Sequence, residues 1–124
     1  MRPIHLTLTL LAASLPALAL AQAPAPDCSN ASTTAAMLSC EQTRYTAADK
    51  SLQATYQHLL QAAPVSTRIK LKASQAAWLL YRKAESDYQA DAAAGGTLAP
   101  VLRITTLADL TQARATDLQK SIHP

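Results

Sequence analysis

The side chains best suited to acid–base chemistry lie close together in the second half of the chain. Glu85, Asp87 and Asp91 fall within two helical turns, and neighbouring carboxylates can transfer protons or bind a hard cation. After the apolar leader only His58 and His123 remain, neither with an evident partner. The sequence has no phosphate loop, nucleophile elbow or paired-histidine zinc motif. We interpret the carboxylates as a solvated helix face and predict no catalytic residue, cofactor or metal site; a metal-assisted hydrolase using them is the remote alternative.

A second group of notable residues surrounds the only tryptophan. Gln75, Trp78 and Arg82 are three and four residues apart, so on a helix they form one strip, with Tyr81 beside it. A second strip follows the same helix: Ile69, Ala73, Ala76, Ala77, Leu80, Ala84 and Tyr88. This periodicity favours a central helix that buries both strips in a small bundle. The alternative is that Trp78, Tyr81 and Arg82 contact a partner, since these residue types dominate binding hot spots.

The first 21 residues have the features of a secretory signal peptide. Arg2 precedes an apolar run over 6–20, and Ala19 and Ala21 are the small residues that signal peptidase recognises. We expect cleavage after Ala21 and a periplasmic or secreted protein. A lipid anchor is not expected, because no cysteine directly follows the leader. The apolar run is also shorter than the roughly 20 residues of a comfortable membrane span.

The rest of the chain is predicted to be one small all-α domain over 28–120, with a frayed tail over 121–124. It is rich in alanine, lacks phenylalanine and has two glycines, a composition that disfavours β-sheet. Without Arg2, ten basic and eight acidic residues remain. This excess is too small and too scattered to indicate nucleic-acid binding.

A disulfide is expected near the start of this domain. Residues 22–27 are predicted to be a flexible lead-in, because alternating prolines disfavour helix. Cys28 and Cys40 are the only cysteines, and in an exported chain they are expected to pair. The bridge would stabilise the fold by roughly 2–3 kcal/mol. The candidate N-caps for the structure that follows are Asp27, Ser29 and Ser32.

Three main helices are predicted from apolar periodicity and helix-stop signals. The first extends from Cys40 to about residue 62, before Pro64. The second extends over about 67–92, from an N-cap at Ser66 to Gly95 and Gly96, and Thr97 caps the third. The positions predicted to face the core are Tyr45, Ala48, Leu52, Tyr56, Leu59 and Leu60 in the first helix, and Leu98, Leu102, Leu107, Leu110 and Leu118 in the third. The predicted fold is a small antiparallel bundle of three main helices with a short disulfide-tied N-terminal segment. Asp49 is a candidate partner for Arg82 or Arg114 across helices.

Three blocks of the sequence together resemble the LprI-like lysozyme-inhibitor family, small exported helical domains of bacteria. The blocks are Cys28…Cys40…Tyr45-x-x-x-Asp49-x-x-Leu52-x-x-x-Tyr56, then Leu71-x-x-x-Gln75-x-x-Trp78-x-x-Tyr81-Arg82, and Gly95-Gly96-Thr97 followed by Leu110-Thr111-x-x-Arg114-x-x-x-Leu118. They cover nearly all of the chain between Cys28 and Leu118. The resemblance also implies that family members usually have a second cysteine pair, which bridges the last two helices. At those two positions this chain has Ser86 and Thr106.

The resemblance implies a protein that binds a lysozyme and occludes its cleft without catalysis. Such an inhibitor must present a loop or a basic side chain to a cleft lined with carboxylates. The small-residue loop over 92–98, with Gly95 and Gly96, is the candidate for insertion. Arg82 and Arg103, near its base, are the candidates to face the carboxylates.

The alternative function is that of an accessory helical module of the cell envelope. In that case the strip of Gln75, Trp78, Tyr81 and Arg82 would dock on another envelope protein. Both hypotheses require a protein partner and neither requires a cofactor. They differ in whether the loop or the tryptophan strip forms the contact.

Overall fold

Three α-helices make up the part of the chain that the structure describes, residues 25–122 of a computed structural model. Helix α1 extends over Thr34–Ala62, α2 over Val65–Asp91 and α3 over Ala99–Lys120. The three-helix, all-α fold predicted from the sequence is confirmed. No helix within 25–122 is long and apolar enough to cross a membrane. The predicted signal peptide, half of the lead-in and His123 lie outside the described residues.

A disulfide ties the segment before α1 to that helix. Cys28 bonds to Cys40, and their Cα atoms are 5.7 Å apart, which confirms the predicted pairing. The helix, however, begins at Thr34 and not at Cys40, because Thr33 is its N-cap. Thr33 Oγ1 accepts a hydrogen bond from the Ala36 amide at 3.1 Å, which satisfies one of the free N–H groups of the first turn.

Asp27 organises the turn that precedes α1 and does not cap the helix. Its Oδ1 accepts a hydrogen bond from the Ser29 amide at 2.9 Å. This bond lowers the pKa of the Asp27 carboxyl. Because the folded-state pKa is depressed, the bond contributes to stability above the ordinary titration range of the carboxyl, and the contribution is lost as the pH falls through the folded-state pKa.

Pro64 separates α1 from α2. Ala63 is extended, as expected for a residue before proline, so α1 ends at Ala62 as predicted. α2 begins at Val65 directly after the proline. Ser66 therefore lies inside the helix, and its predicted role as N-cap is wrong.

The connection between α2 and α3, residues 92–98, consists of tight turns. Its backbone amides donate to carbonyls three residues earlier, and Gly95 has a φ of +81°. Glycine adopts this left-handed conformation without the strain that a Cβ would add. α3 then begins at Ala99 with Leu98 at the N-cap position, so the predicted N-cap at Thr97 is one residue too early.

α3 is the central helix of the bundle. It packs along both α1 and α2, whereas α1 and α2 contact each other little. The sequence interpretation had placed the Trp78 helix, α2, at the centre, and this is wrong. α2 lies on one side of the molecule and uses only one face for packing.

The buried side of α3 follows spacings of three and four residues in alternation. Its buried residues are Val101, Ile104, Ala108, Thr111, Ala115 and Leu118. This is the periodicity of a seam between two nearly aligned helices. Of the predicted leucine stripe only Leu118 is buried, and Leu98 is 46% exposed. The other leucines flank the seam, whose centre consists of small residues that let α1 and α2 approach closely.

The core lies where all three helices meet. Leu52 and Ala115 are fully buried, and Leu118 is 6% exposed. Partly buried side chains surround this cluster, among them Tyr56, Leu59, Leu71 and Trp78. The predicted inward side of α1 is therefore confirmed at Ala48 and Leu52, which are buried. Thr55, also buried, was missed because it is polar.

The second strip of α2 faces solvent and, together with Val65, forms what we call the outer face of α2. Its members are Val65, Ile69, Ala73, Ala76, Ala77, Leu80, Ala84 and Tyr88, all exposed. Leu80 is 74% exposed, Tyr88 71% and Ile69 64%. The prediction that both strips are buried is therefore wrong for this strip. α3 covers the opposite side of α2, and within 25–122 no element covers this one.

Candidate functional site

Arg82 joins the three helices through its guanidinium group. Its Nη1 donates a hydrogen bond to Thr111 Oγ1 on α3 at 3.0 Å and lies 3.5 Å from Asp49 Oδ1 on α1. Its Cζ lies 4.8 Å from the centre of the Trp78 ring and 5.7 Å from that of Tyr45. The predicted pairing of Asp49 with Arg82 is confirmed. A side chain held by four groups on three helices has a structural role in this fold.

A second arginine approaches Trp78. Arg114 lies with its Cζ 5.9 Å from the ring centre of Trp78. Its Nε donates to Gln75 Oε1 at 3.3 Å and its Nη2 to Ser74 Oγ at 2.9 Å. Gln75 is 7% exposed. The indole therefore lies close to two guanidinium groups. Each of them also forms a hydrogen bond between α2 and α3.

The three sequence blocks that carry the family resemblance meet at this point. The Trp78–Arg82 cluster, as we call it, consists of Tyr45, Asp49, Gln75, Trp78, Arg82, Thr111 and Arg114. The first two come from the first block, the next three from the second and the last two from the third. Their spacing within each block is what places them on the inward face of each helix. In this chain the residues shared by the three blocks thus form a packing site between helices.

Tyr81 differs from its neighbours in the tryptophan strip. It lies one residue before Arg82, outside the cluster, and is 52% exposed. Trp78 is only partly buried, but the surface it retains is bordered by Arg82 and Arg114. The proposed partner contact of this strip stays a prediction. Tyr81 offers the largest accessible aromatic surface for it.

The loop end of the molecule presents different groups. Residues 94–98, including Gly95 and Gly96, are exposed, and Leu98 extends an apolar side chain there. Arg103, in the first turns of α3, forms an ion pair with Asp87 of α2. Its side chain is 48% exposed. The structure therefore brings Gly95, Gly96 and Arg103 to one end of the bundle and leaves Arg82 in the interhelical cluster.

The acidic residues near the end of α2 have local partners. Asp87 pairs with Lys83 as well as with Arg103, and Glu85 Oε1 accepts a hydrogen bond from Gln89 Nε2 at 2.7 Å. Between residues 25 and 122 no group of three or more histidine, cysteine or acidic side chains could hold a metal ion. These contacts are those of a solvated helix face.

His58 lies away from these carboxylates, beside an apolar groove at the other end of the bundle. The groove has a volume of about 610 Å³ and lies between the end of α1, the start of α2 and the end of α3. Its other polar residues are Thr67, Lys70, Ser74 and Ser121. The groove is too open and too poor in convergent polar groups to indicate a small-molecule site by itself.

One interhelical contact was missed by the sequence interpretation. Arg44 of α1 donates a hydrogen bond to Asp109 of α3 at 2.7 Å and another to Glu41 at 2.7 Å. Partial burial by itself would lower the pKa of Arg44, but the two carboxylates outweigh it, and the pKa is raised. The i, i+3 spacing of Glu41 and Arg44 signals the local pair. Nothing in the sequence points to Asp109, because that contact depends on how α1 and α3 align.

Comparison with known families shows that the three blocks belong to one family domain. The profile described as "Lysozyme inhibitor LprI" matches residues 26–118, almost the whole described domain. The chain belongs to the LprI lysozyme-inhibitor family. An uncharacterised protein of Rhizobium meliloti (strain 1021) is 31% identical over 113 residues, covering 81% of each chain. No solved structure matches this LprI-family chain.

The positions that the family resemblance assigns to a second disulfide lie between α2 and α3. Ser86 is 2% exposed and donates its hydroxyl to the Lys83 carbonyl at 2.9 Å. Thr106 is partly buried and donates to the Leu102 carbonyl at 2.9 Å. Each hydroxyl thus bonds to its own helix. At these two positions this LprI-family chain has local hydrogen bonds within α2 and α3.

Proposed function

We propose that this protein is an exported inhibitor that binds a lysozyme and occludes its cleft without catalysis. The observation that supports this most is the match of the LprI lysozyme-inhibitor family over residues 26–118. The features of a signal peptide over 1–21 support export. A compact helical domain without a convergent set of reactive groups in its described part is suited to inhibition by steric exclusion.

The surface that we assign to lysozyme binding is the loop end, residues 92–98 together with Arg103. Lysozymes cleave their substrate with a pair of carboxyl groups in a cleft. Arg103 is half exposed and forms an ion pair with Asp87 on its own surface. An arginine can exchange such a partner for a cleft carboxylate and retain a charge-assisted hydrogen bond.

The shape of the loop end also favours insertion into a cleft. Residues 92–96 are alanine and glycine, so the backbone can approach a narrow site closely. Leu98 adds one apolar side chain that is 46% exposed. The turns are hydrogen-bonded internally, so little conformational entropy is lost on binding. Gln75, Trp78 and Arg82 have a supporting role here, since they hold α2 against α3 behind the loop.

The test is a titration of the oxidised protein, residues 22–124, against a panel of animal and bacterial lysozymes, with cell-wall lysis as the readout. We expect saturable, near-stoichiometric inhibition of one lysozyme class. Leu98→Glu and Arg103→Glu should each weaken inhibition by about 10-fold or more, the effect of losing a binding hot spot. Lys120→Glu is the matched control, because Lys120 is also an exposed cation of α3 with one acidic neighbour, at the opposite end.

Two results would contradict the proposal. A folded, helical protein that inhibits no lysozyme of the panel would favour an accessory module of the cell envelope. Equal weakening by Arg103→Glu and Lys120→Glu would show that net charge matters and that the loop end is not the binding surface. Circular dichroism of each variant verifies that the fold is retained.

A further inference from the structure

The outer face of α2 is larger and more apolar than an isolated domain needs. From Val65 to Tyr88 it extends for about 35 Å at 1.5 Å per residue. Exposed apolar patches of this size on a soluble domain mark interaction sites. It is separate from the loop end, and it faces away from the Trp78–Arg82 cluster. Its occupant can be identified from the order of its residues.

Near the middle of this face, large residues meet small ones when the order of the residues is reversed. Ala76 and Ala77 lie at its middle. On one side follow Ala73, Ile69 and Val65, and on the other Leu80, Ala84 and Tyr88. When two copies of the helix are laid antiparallel about the Ala76–Ala77 centre, Leu80 of one copy faces Ala73 of the other. Ile69 then faces Ala84 in the same way, and at the ends of the face Val65 meets Tyr88. A large residue opposite a small one is what close helix packing requires.

The charges along α2 favour the same arrangement. Arg68, Lys70 and Lys72 lie in its first half, whereas the acidic residues Glu85, Asp87 and Asp91 lie in its last two turns. The second half also carries Arg82 and Lys83. Antiparallel pairing places the basic first half of one copy against the half of the other copy that carries all three acidic residues. It brings Arg68 level with Glu85 of the second copy, and Lys70 level with Lys83. Parallel pairing would place like charges together along the whole contact.

The area is sufficient for a stable contact. Val65, Ile69, Leu80 and Tyr88 are each more than half exposed, as is Tyr81 at the border of the face. With the exposed alanines they present on the order of 700 Å² of mainly apolar surface, close to the ~800 Å² per partner of a standard interface. We propose that two copies of this protein form a two-fold symmetric dimer through the outer face of α2, with their α2 helices antiparallel. The two loop ends then point in opposite directions, so each copy is free to bind its own partner.

The first experiment measures the oligomeric state by sedimentation equilibrium of residues 22–124. A standard-size interface has an affinity between micromolar and picomolar, so we expect a dimer at about 100 µM protein. Leu80→Glu should weaken dimerisation at least about 100-fold, because it places a charge in the apolar contact of each copy. Leu98→Glu is the matched control, an exposed leucine outside the face, and should leave the dimer unchanged.

The second experiment tests the direction of pairing by cysteine cross-linking, with the Cys28–Cys40 bridge intact. Ala76→Cys should form a disulfide-linked dimer, because this position lies beside the two-fold axis. Ala84→Cys alone should not, but a mixture of Ala84→Cys with Ile69→Cys proteins should. Ala113→Cys, an exposed alanine of α3, gives the background rate.

A protein that is still monomeric at about 100 µM overturns the proposal, because interfaces of this size have micromolar or tighter affinities. So does a dimer that Leu80→Glu leaves intact, or self-linking of Ala84→Cys as fast as that of Ala76→Cys. The cross-linking does not depend on whether Leu80→Glu folds. Lysozyme inhibition does not enter either readout, so this proposal and the proposed function fail independently.

Discussion

At the level of single residues, Arg82 and Trp78 illustrate how a binding signature and a packing signature coincide. Tryptophan, tyrosine and arginine at helical spacing are typical of a protein-binding surface. In this chain Arg82 donates a hydrogen bond to Thr111, forms an ion pair with Asp49 and lies over the ring of Trp78. Its side chain is only 14% exposed. The same residue types that recognise a partner here connect the helices of one chain.

We predict that Arg82→Lys destabilises the fold by about 1–2 kcal/mol. Lysine cannot reproduce both the stacking on Trp78 and the two directed contacts to α1 and α3. The matched control is Arg103→Lys, since Arg103 forms an exposed ion pair, which is worth less than about 1 kcal/mol. Urea denaturation of both variants measures the difference. Equal effects at the two positions would contradict the role assigned to Arg82.

At the level of elements, α3 is central because its small buried residues let two helices approach it. Ala108 and Ala115 are fully buried, and Thr111 between them is also fully buried. The sequence interpretation followed the leucines, which are larger and more apolar. Leucines at the seam would hold α1 and α2 farther from α3. The position of a helix in this bundle is therefore set by side-chain size as much as by hydrophobicity.

We predict that Ala108→Leu destabilises the protein by about 1–3 kcal/mol, the cost of overpacking a filled core. Alanine and leucine have similar helix propensities, so the loss would come from the seam. Ala113→Leu, at an exposed position of the same helix, should change stability by less than about 0.5 kcal/mol. Thermal denaturation of both variants is the measurement. A neutral Ala108→Leu would show that the seam can widen at little cost.

At the level of the whole molecule, stability rests on few large core side chains. Leu52 is the only large apolar side chain that is fully buried in the described part of the chain. A small domain with such a core depends on cross-links. The Cys28–Cys40 bridge ties the N-terminal segment to α1. No such bridge joins α2 to α3, where Ser86 and Thr106 lie.

We predict that Ser86→Cys together with Thr106→Cys forms a disulfide and stabilises the fold by about 3 kcal/mol. The contacts of Arg103 with Asp87 and of Arg82 with Thr111 bring positions 86 and 106 to the same level of the two helices. In a domain of this size the melting temperature should rise by about 10 °C or more. Reductant also breaks the Cys28–Cys40 bridge and so destabilises the parent protein. The double variant should lose more stability on reduction than the parent does. Peptide mapping that finds two free thiols would contradict the proposed alignment.

Several features of the fold followed from local signals in the sequence. Pro64 and Gly95 act within one or two residues of themselves, since one excludes the helical conformation before it and the other permits a left-handed turn. Cys28 and Cys40 had no other partner. The three blocks resembled the LprI family, and the family match over residues 26–118 confirmed this. These features made the helix number, the disulfide and the family predictable.

Only the tertiary structure decided which surfaces are covered. α2 has two strips of helical periodicity, and periodicity alone does not say which one packs. The structure places the Trp78–Arg82 strip against α3 and leaves the more apolar strip exposed, because α3 occupies one side of α2 and α1 hardly reaches it. The partners of Arg44 and Arg114 likewise depended on how the helices align. Burial is a property of the neighbours that a surface finds, and those neighbours lie far away in the sequence.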